Sequence, residues 1–417
     1  MKFAWLFPAL MLAGAQTGAA PPPTETCAQD LCQADELAPF LSLISHPAPG
    51  RVINVVQIGD SHTANENFAG AWRALLQARL GDAGRGAMPP GRPWTGYATR
   101  EVTLAEDPSW SFESVMTAAK DGADTLPFGA SGYRVTAPSA GATMGITGDD
   151  GRAFRRLVVC AETGPNAGAL TLSLGAQSIV APLQTATRGV ACPEIQSEAP
   201  QSGATVAVHD GPATLYSWAT YSGAPGVVVS NLGVVGSKLT QMAMNGDQVL
   251  GAELGAYRPD LIVIAYGTNE GFDARISIED YELNLTEQIR RVRRLAPGVP
   301  ILLLEAPDAQ SKQPGLRANG APGEVATPDG KGWFCPPGLD YIRAAQHRVA
   351  AREHMALWRW FDRMGGAGAA ADWPARTPPL MRPDHVHFTV AGGQTLAERL
   401  EADLDAAAAS LAPPAPS

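Results

Sequence analysis

At 417 residues the chain is long enough for two domains, or for one domain carrying a large insertion. Hydrophobic residues make up 45% and charged residues 17%, a globular composition with no long polar tract in the middle. The formal net charge of −10 argues against non-specific binding to nucleic acid or anionic lipid, both of which need concentrated Lys and Arg.

The N-terminus reads as a secretory signal over residues 1–20. Lys2 supplies the positive charge, Phe3 to Ala13 an apolar core, and Gly18-Ala19-Ala20 the small residues for cleavage before Pro21-Pro22-Pro23. The apolar run is short for a membrane span, and no Cys follows it where a bacterial lipoprotein would be lipidated. The expectation is export to the bacterial periplasm, with no membrane insertion after cleavage and a leader over residues 21–50.

Arg51–Ile58 reads as a first buried strand. It runs into Gly59-Asp60-Ser61-His62, and a helical pattern follows from about Glu66 to Leu80. Ser61 is thereby presented at the mouth of a strand and beside a helix N-terminus, among backbone N–H groups able to stabilise an oxyanion. Alone the tripeptide Gly-Asp-Ser means little, since about one chain in ten of this length would carry it by chance.

From about Pro89 to Ala224 the rhythm changes. The interval is rich in Gly, Ser, Thr, Ala and Pro, with short apolar stretches at Tyr133–Ala137, Leu157–Cys160, Ala169–Leu174, Val206–His209 and Ala213–Ala219. Turn-forming clusters separate them, the pattern of an antiparallel sandwich. Residues 91–225 are therefore expected to form an all-β module inserted after the first βα unit, placing a polymer across the rim that holds Ser61.

Four further strand candidates follow: Gly226–Val229, Asp260–Tyr266, Pro300–Glu305 and, more weakly, Leu357–Phe361. Helical patterns lie at about Lys238–Ala256, Ile278–Leu295, Gly338–His354 and Val390–Ala408. Apolar strands alternating with amphipathic helices imply a parallel sheet covered on both faces. This α/β domain is assigned to residues 51–90 and 226–410, with a frayed tail over 411–417. Ligands bind at the carboxyl ends of such strands, so Ser61, Asn231 to Gly236, Gly267 to Glu270 and Pro307-Asp308 are expected on one rim.

Five cysteines follow the signal. Proximity favours Cys27 with Cys32 and Cys160 with Cys192, leaving Cys335 odd; buried thiols are the alternative for any one of them. No Cys/His spacing suits a zinc site.

The blocks after the strands carry the chemistry. Asn231-Leu232-Gly233-Val234-Val235-Gly236-Ser237 follows the second strand and Tyr266-Gly267-Thr268-Asn269-Glu270 the third. Trp358-Arg359-Trp360-Phe361-Asp362-Arg363-Met364-Gly365-Gly366 precedes Asp384-His385-Val386-His387-Phe388-Thr389, which opens into the last helix. Together with Gly59-Asp60-Ser61-His62, these blocks resemble those of the SGNH (GDSL-type) hydrolases, over residues of about 51–80 and 226–405. The resemblance implies a flavodoxin-like three-layer domain and a catalytic set of Ser61, Asp384 and His387. It also implies an oxyanion hole from the N–H groups of Ser61 and Gly236 and the side-chain amide of Asn269, with no metal or organic cofactor. Within the family, the variant Gly-Asp-Ser-His, the Tyr-Gly-Thr-Asn-Glu block, the Met-Gly-Gly segment and the β-rich insertion are most similar to exported peptidoglycan O-acetylesterases, whose insertion is a carbohydrate-binding-module-like jelly roll. Glu270 stands where many members have Asp.

The residue types suit that chemistry. A serine is a poor nucleophile unless a base takes its proton, and an imidazole has its unperturbed pKa near working pH. Asp384, three residues before His387, can reach Nδ1–H and fix the tautomer. Each residue also has a plain alternative: Ser61 or Asp384 as a helix cap, Asn269 as a turn residue, and His385 as an equally placed base. Family spacing selects His387. His62 reads as a wall of the site and His209 as a weaker candidate, while Trp94, Trp110, Trp333 and Trp358 could stack on sugars or pack in the core.

The expected function is a serine esterase removing O-acetyl groups from an extracytoplasmic polysaccharide, peptidoglycan above all. An O-acetyltransferase using the same residues is one alternative and a non-catalytic glycan-binding protein another. A lipase is disfavoured because no apolar lid-like helix lies beside the site.

Overall fold

The computed structural model describes residues 26–97, 99–121, 127–273, 275–312, 332–336 and 338–411. The expected signal peptide, the start of the leader and the tail beyond residue 411 lie outside these residues.

Five parallel strands form the centre: β1 (Val52–Gly59), β2 (Gly226–Gly233), β3 (Leu261–Ala265), β4 (Ile301–Leu304) and β5 (Ala356–Trp358). Their spatial order is β5-β4-β3-β1-β2, the flavodoxin-like doubly wound order, whose reversal between β1 and β3 opens a crevice at the strand C-termini. Alternate residues face opposite layers. Val56, Ile58, Ile262, Ile264 and Leu303 pack on α2 (Asp247–Tyr257), α3 (Ile278–Leu295) and α4 (Gly338–Arg352). Ile53, Val55, Val263, Leu302 and Leu304 pack on α1 (Ala69–Leu80) and α5 (Val390–Leu411).

Local chemistry sets the helix limits. α3 begins where the Ser277 hydroxyl accepts the Asp280 N–H at 3.1 Å, has Glu279 and Asp280 in its first turn, and ends on Arg293 and Arg294. The pattern read as one helix over 238–256 is two, Leu239–Met242 and α2, because Asn245-Gly246 interrupts it. The helix expected from about Glu66 begins at Ala69, and Ser61–Ala64 is a separate helical turn ahead of it. The weak strand candidate at 357–361 ends at Trp358, and Trp360–Met364 is helical.

Two structures escaped the sequence reading. Cys27–Ala28 and Leu31–Cys32 form a disulfide-closed hairpin that pairs antiparallel with β5, and Ala38–Ser45 is a helix packed against α5. Much of the expected leader is therefore core. A second disulfide joins Cys160 to Cys192, and Cys335 belongs to neither bridge.

The segment between α1 and β2 forms two antiparallel sheets packed face to face around Leu104, Ile146, Leu172 and Val206 from one, and Val135, Leu157, Leu215 and Trp218 from the other. Its sheet begins upstream of residue 91, since Gly86–Met88 pairs with Ala213–Tyr221. Its elements also enter the central core: Val158, Cys160, Ala219 and Tyr221 share one cluster with Val56, Ile58, Val228 and Leu254.

Candidate active site

β1 ends at Gly59, where a Cβ would run into the Thr63 hydroxyl and the Ala265 carbonyl, so only glycine lets β3 and the next turn close together. The Asp60 N–H then donates to Ala265 O at 3.1 Å. The cap of the Ser61–Ala64 turn is Asp60, whose Oδ1 accepts the His62 N–H at 2.9 Å. Ser61 is thus released from capping, and its hydroxyl lies 2.9 Å from His387 Nε2.

His387 is held from behind. Its Nδ1 lies 2.9 Å from Asp384 Oδ2, and Asp384 Oδ1 accepts the N–H groups of Val386 at 3.0 Å and His387 at 2.9 Å. Burial raises the Asp384 pKa, but the hydrogen bonds from His387 outweigh it and hold the carboxyl below its usual range. Asp384 does not cap α5; the Thr389 hydroxyl accepts the Gly392 N–H at 3.1 Å instead.

The other two candidates sit on the loops after β2 and β3. Gly236 has φ +78°, a left-handed conformation that disfavours any side chain, whereas a Cβ there would meet only Met116 Cε at 3.8 Å. Glycine is required by backbone conformation more than by crowding within the protein. Among the described residues, neither the Ser61 N–H nor the Gly236 N–H has an acceptor. Asn269 donates from its amide to Ser237 O at 2.8 Å, which fixes it beside the Gly236 loop. Glu270 ties the same loops together, accepting from Leu239 N–H at 2.6 Å and Gly267 N–H at 3.1 Å.

The structure therefore brings Ser61, His387 and Asp384 into one hydrogen-bonded chain and places Gly236 and Asn269 on neighbouring loops of the same rim. His385 is turned away. It has φ +58°, its Nδ1 lies 2.8 Å from Gln310 Oε1, and its ring stacks on Trp333 with centroids 3.8 Å apart. Gln310 also donates its backbone N–H to His385 O at 2.9 Å, so the loop after β4 clamps the segment that carries His387. Asp308, expected on the rim, accepts the Ala370 N–H at 2.9 Å and serves the neighbouring loop. His209 pairs with Thr171 on the β-rich segment. Trp110 and Trp358 are core residues, and Trp94 packs on Tyr97 and Tyr133.

His62 walls the site as expected, packed against Phe388, Trp360 and His387. Burial, reinforced by His387 and opposed by Asp384, pushes its pKa down to about 3. Beneath the site, burial pushes Asp60 and Glu270 up to about 7, with Glu270 adding to the rise at Asp60. Behind the Ser61 turn, Glu66 sits between Arg73 and Arg85. Burial would raise its carboxyl, yet the two guanidiniums hold it at about 2. Arg85 also reaches Asn231 Oδ1 at 2.7 Å, and the Asn231 amide donates to Thr63 O at 3.1 Å, linking the two loops. Among the described residues, no group of three or more His, Cys, Asp or Glu is placed to hold a metal ion.

Residues 201–395 match the profile of the GDSL-like Lipase/Acylhydrolase family. The Ser61 block falls outside that match. No curated protein sequence matches the chain. Among solved structures it is similar to a peptidoglycan O-acetylesterase, with TM-score 0.72 and 25% identity, over 90% of this chain and 97% of the other. A GDSL-like lipase from Bacteroides thetaiotaomicron gives TM-score 0.30 at 14% identity, over 43% and 75% of the two chains. A family two carbohydrate esterase from Clostridium thermocellum, in complex with cellohexaose, gives 0.26 at 12% identity, over 65% and 93%. The chain carries a GDSL/SGNH lipase–acylhydrolase domain and is an esterase of that type.

Proposed function

We propose that this esterase removes O-acetyl groups from an extracytoplasmic polysaccharide, with peptidoglycan as the substrate. The Ser61–His387–Asp384 chain carries the reading, because it joins a hydroxyl, an imidazole and a carboxylate in the order acyl transfer needs. Ser61 Oγ attacks the acetyl carbonyl while His387 Nε2 takes its proton. The oxyanion accepts hydrogen bonds from the Ser61 and Gly236 N–H groups and from the Asn269 amide, each worth about 3 kcal/mol of transition-state stabilisation. Collapse expels the sugar oxygen, which takes the proton from His387. Water then attacks the acetyl-Ser61 ester by the same route, giving acetate and free enzyme.

Likeness to a peptidoglycan O-acetylesterase over nearly the whole chain supports the substrate. The signal-like N-terminus supports export, and among the described residues no helix is long and apolar enough to cross a membrane. The β-rich segment over 91–225 would place the polymer on the rim, with Met116 bordering the Gly236 loop.

Purified protein is to be incubated with p-nitrophenyl acetate and with O-acetylated peptidoglycan, and acetate measured with and without a glycan acceptor. Acetate release from both, lost in Ser61→Ala, is expected. Acetyl transfer to the acceptor in place of acetate would make the protein a transferase, and release unaffected by Ser61→Ala would overturn the site.

A further inference from the structure

The end of the parallel sheet opposite Ser61 holds a second concavity. β1 begins there, α2 ends there, and strands Phe154–Thr163, Glu194–Gln201 and Ala213–Tyr221 close it from the β-rich side. The cavity is about 560 Å³. β1 separates it from Ser61 by eight residues, on the order of 25 Å at the rise of a strand.

Its lining is basic in a chain whose net charge is −10. Arg51, Arg155, Arg156 and Arg258 all face it, and no Asp or Glu lines it. Two of the four are already neutralised from outside the cavity. Arg51 pairs with Asp260. Arg156 pairs with Glu194, Nε to Oε2 at 2.8 Å, and lies over the Tyr221 ring at 4.7 Å. Arg155 has no carboxylate partner among the described residues, and Arg258 has none within ion-pair distance there, although Glu194, already paired with Arg156, feels its charge. The Arg155 side chain and the Arg258 backbone are nevertheless held. The Arg155 stem lies over Gly223, where a Cβ would meet its Cδ at 2.7 Å. Arg258 caps α2 in a left-handed conformation, φ +48°, with its backbone N–H on Leu254 O. Four arginines with two paired carboxylates between them, two of the guanidinium forks outside any ion pair, are the arrangement that takes a multivalent oxyanion through bidentate charge-assisted hydrogen bonds.

We propose that this seam cavity is a binding site for a ligand carrying two or more negative charges, as phosphate ester or clustered carboxylates. It is independent of the esterase site. Because both the parallel-sheet domain and the β-rich segment wall it, an occupant would bind only the folded protein and raise its unfolding temperature.

The test is titration calorimetry and thermal unfolding of the full chain with pyrophosphate and with citrate at constant ionic strength, sodium chloride serving as control. Saturable binding of at least one anion is expected. Arg155→Gln/Arg258→Gln should weaken it by about tenfold or more, the scale of losing charge-assisted contacts. Arg258→Gln, at an exposed position, guards against misfolding of the double variant and should weaken binding by a smaller factor. p-Nitrophenyl acetate turnover should be unchanged in both variants, so failure here is distinguishable from failure of the esterase reading. The response to the two anions separates phosphate from carboxylate recognition. Absence of saturable binding to either anion, or equal binding by wild type and both variants, would overturn the proposal.

Discussion

His62→Phe should change stability little at neutral pH and raise it relative to wild type as the pH falls. The ring is 1% exposed, neither nitrogen has a hydrogen-bond partner among the described residues, and its neighbours are Phe388 at 4.7 Å and Trp360 and His387 at 5.6 Å between centroids. Removing unpaired ring nitrogens should gain about 1–2 kcal/mol, offset by about 1 kcal/mol for fitting the larger ring. The pH term is larger. The folded pKa of His62 is about 3, against 6.5 when solvated. Between those values the unfolded chain binds a proton that the folded protein refuses, so this stability is present above pH 6.5 and lost as the pH falls. At pH ~4.5 the loss is about 3 kcal/mol, roughly 1.4 kcal/mol for each of two pH units. Phe has nothing to protonate, so the variant should gain that amount on wild type between pH ~8 and ~4.5. Urea unfolding followed by tryptophan fluorescence at both pH values measures it. A variant-minus-wild-type difference that stays constant with pH would refute the reasoning, because His62 would then be protonated to the same extent in both states.

Four further outcomes follow from the site. Ser61→Ala and His387→Ala should each leave less than about a hundredth of wild-type kcat, and the double variant should be little worse because the residues act as one unit. Gln310→Ala and His385→Ala should each cost less than about tenfold in kcat with KM nearly unchanged, since the backbone bond from Gln310 N–H to His385 O survives either change; a loss matching that of His387→Ala would show that His385 is the base. Gly236→Ala should lower kcat by roughly ten- to a hundredfold in a folded protein, because the left-handed backbone costs about 1–2 kcal/mol with a Cβ and the loop relaxes away; unaltered steady-state kinetics would count against it. Asp60→Asn should flatten the stability–pH profile between about pH 4 and 7: burial raises the folded pKa to about 7, so the folded protein binds the extra proton and wild-type stability falls as pH rises through that window, a trend that calorimetric unfolding at several pH values would show to be absent if the carboxyl titrates normally.

The parallel sheet was legible because strands buried on both faces are near-continuous apolar runs, and Val52–Gly59 and Leu261–Ala265 are such runs. Helix breaks were harder. Asn245-Gly246 interrupts a pattern whose hydrophobic period continues through it. The N-terminal hairpin carried no signal: Cys27–Ala28 and Leu31–Cys32 are two residues each, and their strand character comes from pairing with β5. At the site, the residues brought together through Ser61 and His387 stand in short blocks at strand ends or just before the last helix, where sequence order alone aligns them. Gln310 and Met116 do not. Gln310 acts through a contact 75 residues away in the chain, and Met116 reaches the Gly236 loop from the β-rich segment, so neither has a local pattern to betray it.

That last contact bears on what the β-rich segment does. Val115, Phe128 and Tyr133 bury Val234, two residues before Gly236, with Met116 and Met244 packed at the edge of the same cluster. The Gly132 Cα lies against the Val234 side chain with no room for a Cβ, and Phe128 bridges to Asn245 just after the loop. Deeper in the seam, the buried Glu253 of α2 accepts the Ala130 N–H at 2.6 Å and the Ser217 hydroxyl, so three hydrogen-bonding groups from two segments meet there. A strand loop bearing a left-handed glycine has little local reason to hold its N–H toward a reacting carbonyl; packing from outside the strand supplies one. If Gly236 serves the oxyanion as proposed, this packing of the segment on the Val234–Gly236 loop would bear on hydrolysis of even the smallest acetyl ester. Placement of a polymer would add to that role on the surface beyond Met116. On the proposed function the two contributions would divide by position: substitutions at the buried contacts to Val234 are expected to slow turnover of all esters, and those at exposed positions only that of extended substrates.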